Sequence, residues 1–282
     1  MRIILGTALL LCLMGCGKPS LLREDPPAED SLYFSGAWEV EDGYLSRSDL
    51  AALESFRTLE TQIVPGAGVA TLGVVPLRAL VEWLGFADDG DGVVLECTDR
   101  WESFMEWSYI LEHDPQLLIY YNGEDPSSGN WPMFGGDIEP LAPFYVFIEG
   151  DMSGYVDAPK YGMISATQMS GIRAVNTFER YEPYFEPPMD TLSPLAQKGR
   201  ALFLQRCSTC HQGPGGVGGN VSERPFVILQ THAVHNSDYL KSVVMDPKAV
   251  FPETIMPRHE DFDTNHLERL LAFFRETQEL SL

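Results

Sequence analysis

Residues 3–14 are almost entirely apolar behind one positive residue, Arg2. That run is too short to span a bilayer as a finished helix and reads as the core of a signal peptide. Further along, short apolar runs at residues 70–75, 93–97, 117–121 and 143–148 predict strands. The third ends in Asn122-Gly123, a turn signal. Residues 164–175 read as a strand pair near a core. Between the first two runs, Leu77, Leu80, Val81 and Leu84 share one face of a short helix over residues 76–84. Towards the C-terminus the period becomes helical. Ser193-Pro194 has N-cap and N1 chemistry and opens a helix over residues 195–205, with Leu195, Leu202 and Phe203 on its apolar face. Residues 238–245 are helical as well. Asp263 or Thr264 caps a last helix running to residue 278, with Leu267, Leu270, Leu271 and Phe274 at helical spacing. The pattern predicts a mixed α+β part followed by an all-α part.

Charge sharpens that division. The 282-residue chain carries a formal charge of -22, with 41 acidic and 19 basic residues. Residues 190–282 hold 11 acidic and 9 basic residues, so nearly all the excess lies before them. The shift predicts a boundary near Pro187-Pro188. An acidic domain would span residues 36–187, and a nearly neutral one residues 190–282. Such a balance excludes nucleic acid as a favoured partner, because phosphates would be repelled, and suits docking to a cationic protein.

The signal core ends in Leu13-Met14-Gly15-Cys16, which resembles the bacterial lipobox. The resemblance implies removal of residues 1–15 and a diacylglycerol on Cys16. Two or three acyl chains make a stable membrane anchor. Residues 16–35, with Gly17-Lys18, acid and Pro26-Pro27, then read as a tether. The expected location is the periplasm or cell envelope, on a bacterial membrane.

Cys207-Ser208-Thr209-Cys210-His211 is C-x-x-C-H, the attachment pattern of c-type haem. Two thiols three apart on a helical turn reach both vinyl groups of one porphyrin, and the next histidine points at the iron. A zinc site would need two further ligands at close spacing, and none follow. A thioredoxin-like site would need a preceding strand, where a helix is predicted. Two helices bracketing the motif make residues 190–282 resemble a class I cytochrome c domain. In that family the first and last helices cross at a small residue against an aromatic one, which Gly199 and Phe273 or Phe274 match. The resemblance implies Cys207 and Cys210 as covalent haem attachments and His211 as proximal iron ligand. Met256, in Ile255-Met256-Pro257 ahead of the last helix, matches the family's distal methionine. Met245 reads as core, while His232, His235, His259 and His266 are the remaining distal candidates. Residues 213–219, rich in glycine, match a loop that packs the haem edge.

The acidic half resembles, over about residues 66–181, the molybdopterin-binding domain of the sulfite oxidase family. The order of Val75-Pro76-Leu77-Arg78-Ala79-Leu80, the strand with Cys97, Leu118-Ile119-Tyr120-Tyr121-Asn122-Gly123, Gly136-Asp137-Ile138-Glu139-Pro140-Leu141 and Ser170-Gly171-Ile172-Arg173-Ala174-Val175 carries the likeness. It implies Cys97 as a molybdenum ligand and molybdopterin as a cofactor. The following Thr98-Asp99-Arg100-Trp101 matches the family loop only at the arginine, and a buried small hydrophobe is the alternative role for Cys97. Asp88-Asp89-Gly90-Asp91-Gly92 resembles part of a calcium loop but lacks its closing glutamate, so it reads as an acidic hairpin turn. Trp101, Trp107, Tyr109, Tyr120, Tyr121 and Trp131 read as core. No nucleophile triad, paired catalytic carboxylates, phosphate loop or internal repeat is legible.

These features predict an exported, lipid-anchored monohaem cytochrome carrying single electrons between redox partner proteins, with no catalytic residues of its own. Its N-terminal domain would dock partners. The alternatives are a molybdenum dehydrogenase feeding the haem from Cys97, and a haem-based ligand sensor.

Overall fold

The computed structural model describes residues 22–27, 30–63, 68–87, 89–99, 101–134, 139–149, 166–185, 188–214, 218–219, 222, 224–254, 256–259 and 261–278, with residues 134, 139 and 140 as main chain alone. The expected signal peptide, Cys16, Asp88, Arg100, Gly136-Asp137-Ile138 and Ile255 lie outside these residues.

In chain order the strands and first helices are β1 (Ser31–Gly36), β2 (Gly43–Ser46), α1 (Arg47–Ala51), β3 (Arg57–Thr61), β4 (Ala70–Pro76), α2 (Leu77–Leu84), β5 (Gly92–Cys97), β6 (Glu102–Glu106), α3 (Trp107–His113), β7 (Gln116–Tyr121), β8 (Met133–Phe134), β9 (Glu139–Pro140), β10 (Tyr145–Phe147) and β11 (Met169–Val175). Helices then follow: α4 (Thr177–Tyr181), α5 (Pro194–Arg206), α6 (Phe226–His235), α7 (Ser237–Met245), α8 (Pro247–Val250) and α9 (Thr264–Gln278). One sheet has the order β2-β1-β11-β5-β6, a second the order β10-β7-β4-β3, and β8 and β9 pair by themselves. Among the described residues, β1 and β11 are the one pair of strands that run parallel.

In the second sheet β4 and β7 are buried on both faces, while the edge strand β3 is largely exposed. Val75, Leu117 and Ile119 point into a core shared with the first sheet and α2. Leu72, Val74 and Leu118 point the other way, into a cluster with Trp131, Leu141 and Phe147. Two covered faces explain the near-continuous apolar runs in its strands. The first sheet alternates in the same manner. Val93, Leu95 and Cys97 face the shared core. Val94 faces outward and joins Phe104, Val175 and the helices. The helices therefore pack on the outer side of β5 and β6.

Three expectations are corrected. Residues 164–175 contribute one strand among the described residues, not a pair, because β11 inserts between β1 and β5, both distant in sequence. The expected tether to residue 35 is already folded from Ser31, where Leu32 and Phe34 are fully buried in β1. Asp89 to Asp91 join a helix to a strand rather than two strands, and Asp91 Oδ1 accepts from Thr177 N–H and Oγ1, each at 2.7 Å, at the start of α4.

The α5 helix starts as its sequence predicts. Ser193 Oγ accepts from Ala196 N–H at 3.2 Å, with Pro194 next. Ser193 also donates to Glu276 through N–H at 2.8 Å and Oγ at 2.6 Å, tying the start of α5 to α9. Its buried face is Ala196, Gly199, Arg200, Phe203 and Leu204. Leu195, expected on that face, is exposed, because it lies about 90–100° round the helix from the middle of the 196–199–200–203 stripe. At Gly199 a Cβ would overlap the Arg269 carbonyl oxygen and crowd Phe273. The crossing of α5 and α9 thus depends on glycine at that position.

The sheet and the helices meet through specific bonds. Gln205 Oε1 accepts from Glu106 N–H at 3.1 Å, and its Nε2 donates to Phe104 O at 3.3 Å. Phe104 lies edge-on to Tyr181 at 5.3 Å. Arg200, 2% exposed, donates to Glu182 Oε2 at 2.5 Å beneath the ring of Phe185.

Candidate functional site

The C-x-x-C-H segment caps the C-terminal end of α5. Cys207 N–H donates to Phe203 O at 2.9 Å, which continues the helix by one residue. His211 N–H donates to Cys207 O at 2.8 Å, and Cys210 N–H to the same oxygen at 3.1 Å. This single turn brings both thiols and the imidazole to one side. Ser208 Oγ donates to Leu204 O at 2.7 Å and anchors the turn. Gly218, Gly219 and Ser222 close over it from outside. Gly219 N–H donates to Ser208 O at 2.6 Å, and Ser222 N–H to Cys210 O at 3.0 Å. Gly218 has φ +92°, and a Cβ at Gly219 would collide with Thr209 O. Those glycines let two stretches of main chain touch.

The turn opens onto a cavity of about 490 Å³. That lies in the ordinary range for small-molecule and cofactor sites, roughly 300–1,000 Å³. Cys207, Cys210 and His211 line it, and so do Met256 and Pro257 from the loop before α9. Leu229, Leu240, Val243, Val244, Leu270 and Phe274 make its apolar wall. Arg206, Ser222, Arg224, Tyr239 and Thr254 supply its polar rim, with Glu253. Arg224 donates to Tyr239 Oη at 3.4 Å and lies 4.8 Å over the ring of Phe251. Met256 N–H donates to Thr254 Oγ1 at 3.1 Å, which holds the methionine's loop.

Burial pushes the Cys207 thiol up to about 12 and the Cys210 thiol to about 11. Both are therefore neutral thiols near pH 7. A redox dithiol needs a reactive thiolate, so its surroundings would be arranged to lower these values. Conversion to thioethers introduces no charge into the apolar cavity. Burial also holds His211 below the usual imidazole range. The Arg224 main chain opposes this slightly but gives the buried Nδ1 no well-formed hydrogen bond, and the Arg224 charge adds to the lowering. His211 is thus a neutral base with an available lone pair.

The remaining distal candidates separate by position. Met245 lies off the cavity and packs partly buried against the helical core. His235 is exposed. His266 contacts Asp263 Oδ1 at 2.7 Å and is not among the lining residues. His232 lines the cavity, with its ring 4.8 Å from that of Tyr239. His259 lines it too, is 3% exposed, and stacks on Phe262 at 4.6 Å. Burial, with Arg206 and His211 nearby, pushes its pKa down to about 3. The low exposure of His259 has no sequence signal of its own, since a polar residue in a loop next to Arg258 and Glu260 reads as solvated.

Cys97 is the last residue of β5, 8% exposed, in the core with Val93 and Leu95. The hairpin closes tightly after it. Its N–H donates to Trp101 O at 2.9 Å, and Asp99 Oδ1 accepts from Trp101 N–H at 2.9 Å. A pterin pyrophosphate would need cations, and four of the described arginines of this half are committed elsewhere. Arg173 pairs with Glu96 at 2.5 Å and Glu102 at 2.9 Å, and Arg180 with Glu102 at 2.6 Å. Arg57 pairs with Asp114, and Arg47 with Asp30 and the carbonyls of Ile119 and Pro143. Among the described residues no group of three or more His, Cys, Asp or Glu side chains could hold a metal ion. Among the described residues, those around Cys97 do not fit a molybdopterin, since the thiol is closed into the core and the arginines Arg173 and Arg180 are already paired. Those around Cys207 and Cys210 fit a covalently held haem.

No family model matches the chain, and no curated protein matches it. Among solved structures it is similar to the sulfane dehydrogenase SoxCD from Paracoccus pantotrophus. The identity is 12%, the match covers 54% of this chain and 40% of that one, and the TM-score is 0.34. No helix among the described residues is long and apolar enough to cross a membrane.

Proposed function

We propose that the chain is an exported, lipid-anchored monohaem c-type cytochrome that carries single electrons. The observation that supports it is one apolar cavity lined together by Cys207, Cys210, His211 and Met256. In this reading residues 190–282 form the cytochrome domain and residues 36–187 an acidic docking domain. The sulfite-oxidase-like fold of that docking domain rests on motif order alone. Arg47, Arg57, Arg173 and Arg180 are engaged by carboxylates and carbonyls, which leaves the excess acid to face a cationic redox partner. Cys16 would carry the lipid and place the protein on a membrane of the periplasm or cell envelope.

Haem iron held there would supply the chemistry, cycling between the ferric and ferrous states. The protein's own residues set the conditions. Cys207 and Cys210 would hold the porphyrin through two thioethers. His211, neutral before binding, would ligate without first losing a proton. Met256 would be the second iron ligand from the chain, and a thioether ligand raises the potential relative to a second histidine. The apolar wall excludes water, so little solvent has to reorganise when the charge changes.

The test is iron and molybdenum per chain, with haem staining after denaturation, on protein made in a host able to mature both cofactors. One iron, covalent haem and no molybdenum is the expected result. Molybdenum at one per chain would instead make Cys97 a ligand and the protein a dehydrogenase. A chain without covalent haem would overturn the proposal.

A further inference from the structure

We propose that this cavity offers two iron ligands besides His211, Met256 and His259, and that His259 takes the methionine's place when the methionine is displaced. The inference deepens the haem reading and rests on it.

Both residues lie on the one segment between α8 and α9, three positions apart, and both line the cavity that His211 lines. No other cavity-lining histidine shares that segment. His232 belongs to α6 and lies against Tyr239. His259 is held by packing rather than by hydrogen bonds. Its ring lies nearly parallel to Phe262, at 19°, and Arg206 lies over that same phenylalanine at 5.3 Å while pairing with Asp261. No hydrogen bond fixes the imidazole among the described residues, and its Nδ1 is buried without a partner. A buried imidazole that is not hydrogen-bonded costs free energy unless something in the site satisfies it. A ring with purely structural duty in an apolar pocket would be served better by phenylalanine or leucine. An aromatic seat and an unsatisfied ring beside a cavity that carries a proximal histidine together suit a reserve metal ligand.

The experiment compares haem-loaded full-length protein as wild type, M256A and M256A/H259F, by absorption and electron paramagnetic resonance and by titration with free imidazole. M256A is expected to lose the iron–sulfur band yet stay six-coordinate and low-spin. The double variant is expected to become high-spin and to bind imidazole at least tenfold more tightly than M256A does. M256A/H259Q serves in its place where phenylalanine prevents folding. An M256A protein that is already high-spin, with the imidazole affinity of the double variant, overturns the role of His259 and leaves the haem reading intact. An M256A protein that keeps the band removes Met256 as ligand and overturns the pair. Wild-type protein with no covalent haem overturns both readings together.

Discussion

At the scale of single residues, the helical part is stabilised by charges and rings placed where water cannot reach them. Arg200 and Glu182 are the clearest pair, with side chains 2% and 14% exposed. Glu182 also accepts from Met189 N–H at 2.6 Å, so one carboxylate holds both α5 and the segment leading into it. Glu182→Ala leaves a buried guanidinium uncompensated and should cost about 3–5 kcal/mol in urea unfolding. Replacing both partners with apolar residues should cost much less. The histidines predict a pH dependence in the chain before haem attachment. His259 is held down to about 3 in the folded state against an ordinary imidazole near 6.5. Between those values the unfolded chain binds a proton that the folded one refuses, so stability falls as the pH drops from about 6.5 towards about 3. Each such histidine contributes up to about 1.4 kcal/mol per pH unit. His211 is shifted in the same direction. Urea titrations from pH 6.5 to 4.5 should show the loss, and His259→Phe should flatten its slope by close to one proton. An unchanged slope would mean that His259 is not neutral and buried in solution.

At the scale of elements, close approach of main chains matters more than helix propensity. α5 has a poor amphipathic stripe, with Arg200 and Arg206 on its buried side, and it holds its place through Gly199, Phe203 and the Ser193–Glu276 bonds. Gly199→Ala would be a helix-favouring change in isolation, by about 1 kcal/mol. Here it should destabilise by about 1–3 kcal/mol, because the added methyl meets the Arg269 carbonyl. Thermal unfolding checks the sign, and a stabilised variant would mean that α5 and α9 do not cross there. Gly219 plays the corresponding part for the C-x-x-C-H turn. Gly219→Ala should displace the loop from Ser208 and Thr209 and lower the yield of covalently attached haem, read by haem stain against total protein.

At the scale of the whole molecule, charge and anchoring are separable from the cavity. Cys16→Ser should move the protein from the membrane fraction to the soluble one with its haem content unchanged. Persistence in the membrane fraction would remove the lipid anchor from the proposal. The acid is concentrated before the helices, so association with a cationic redox partner should weaken steeply as salt rises, while the midpoint potential stays nearly constant. Stopped-flow electron transfer at several ionic strengths measures the first, and a redox titration the second.

Much of this was legible in the chain because it is local. The turn of Cys207 to His211, the Ser193-Pro194 start of α5, the Met256-Pro257 pair and the apolar runs of β4, β5 and β7 each lie within a few residues and obey short-range rules of period and capping. What tertiary structure decided is whatever depends on which distant segments meet. β1 was hidden as tether because its partners are β2 and β11, the latter far along the chain. Cys97 stands at a strand end in sequence, but only the pairing of β5 with β6 and β11 turns its side chain into a closed core. His259 is one distal candidate among several in sequence, and only its burial against Phe262 beside the cavity sets it apart. Burial is a sum over contacts from the whole chain, so no local window contains it.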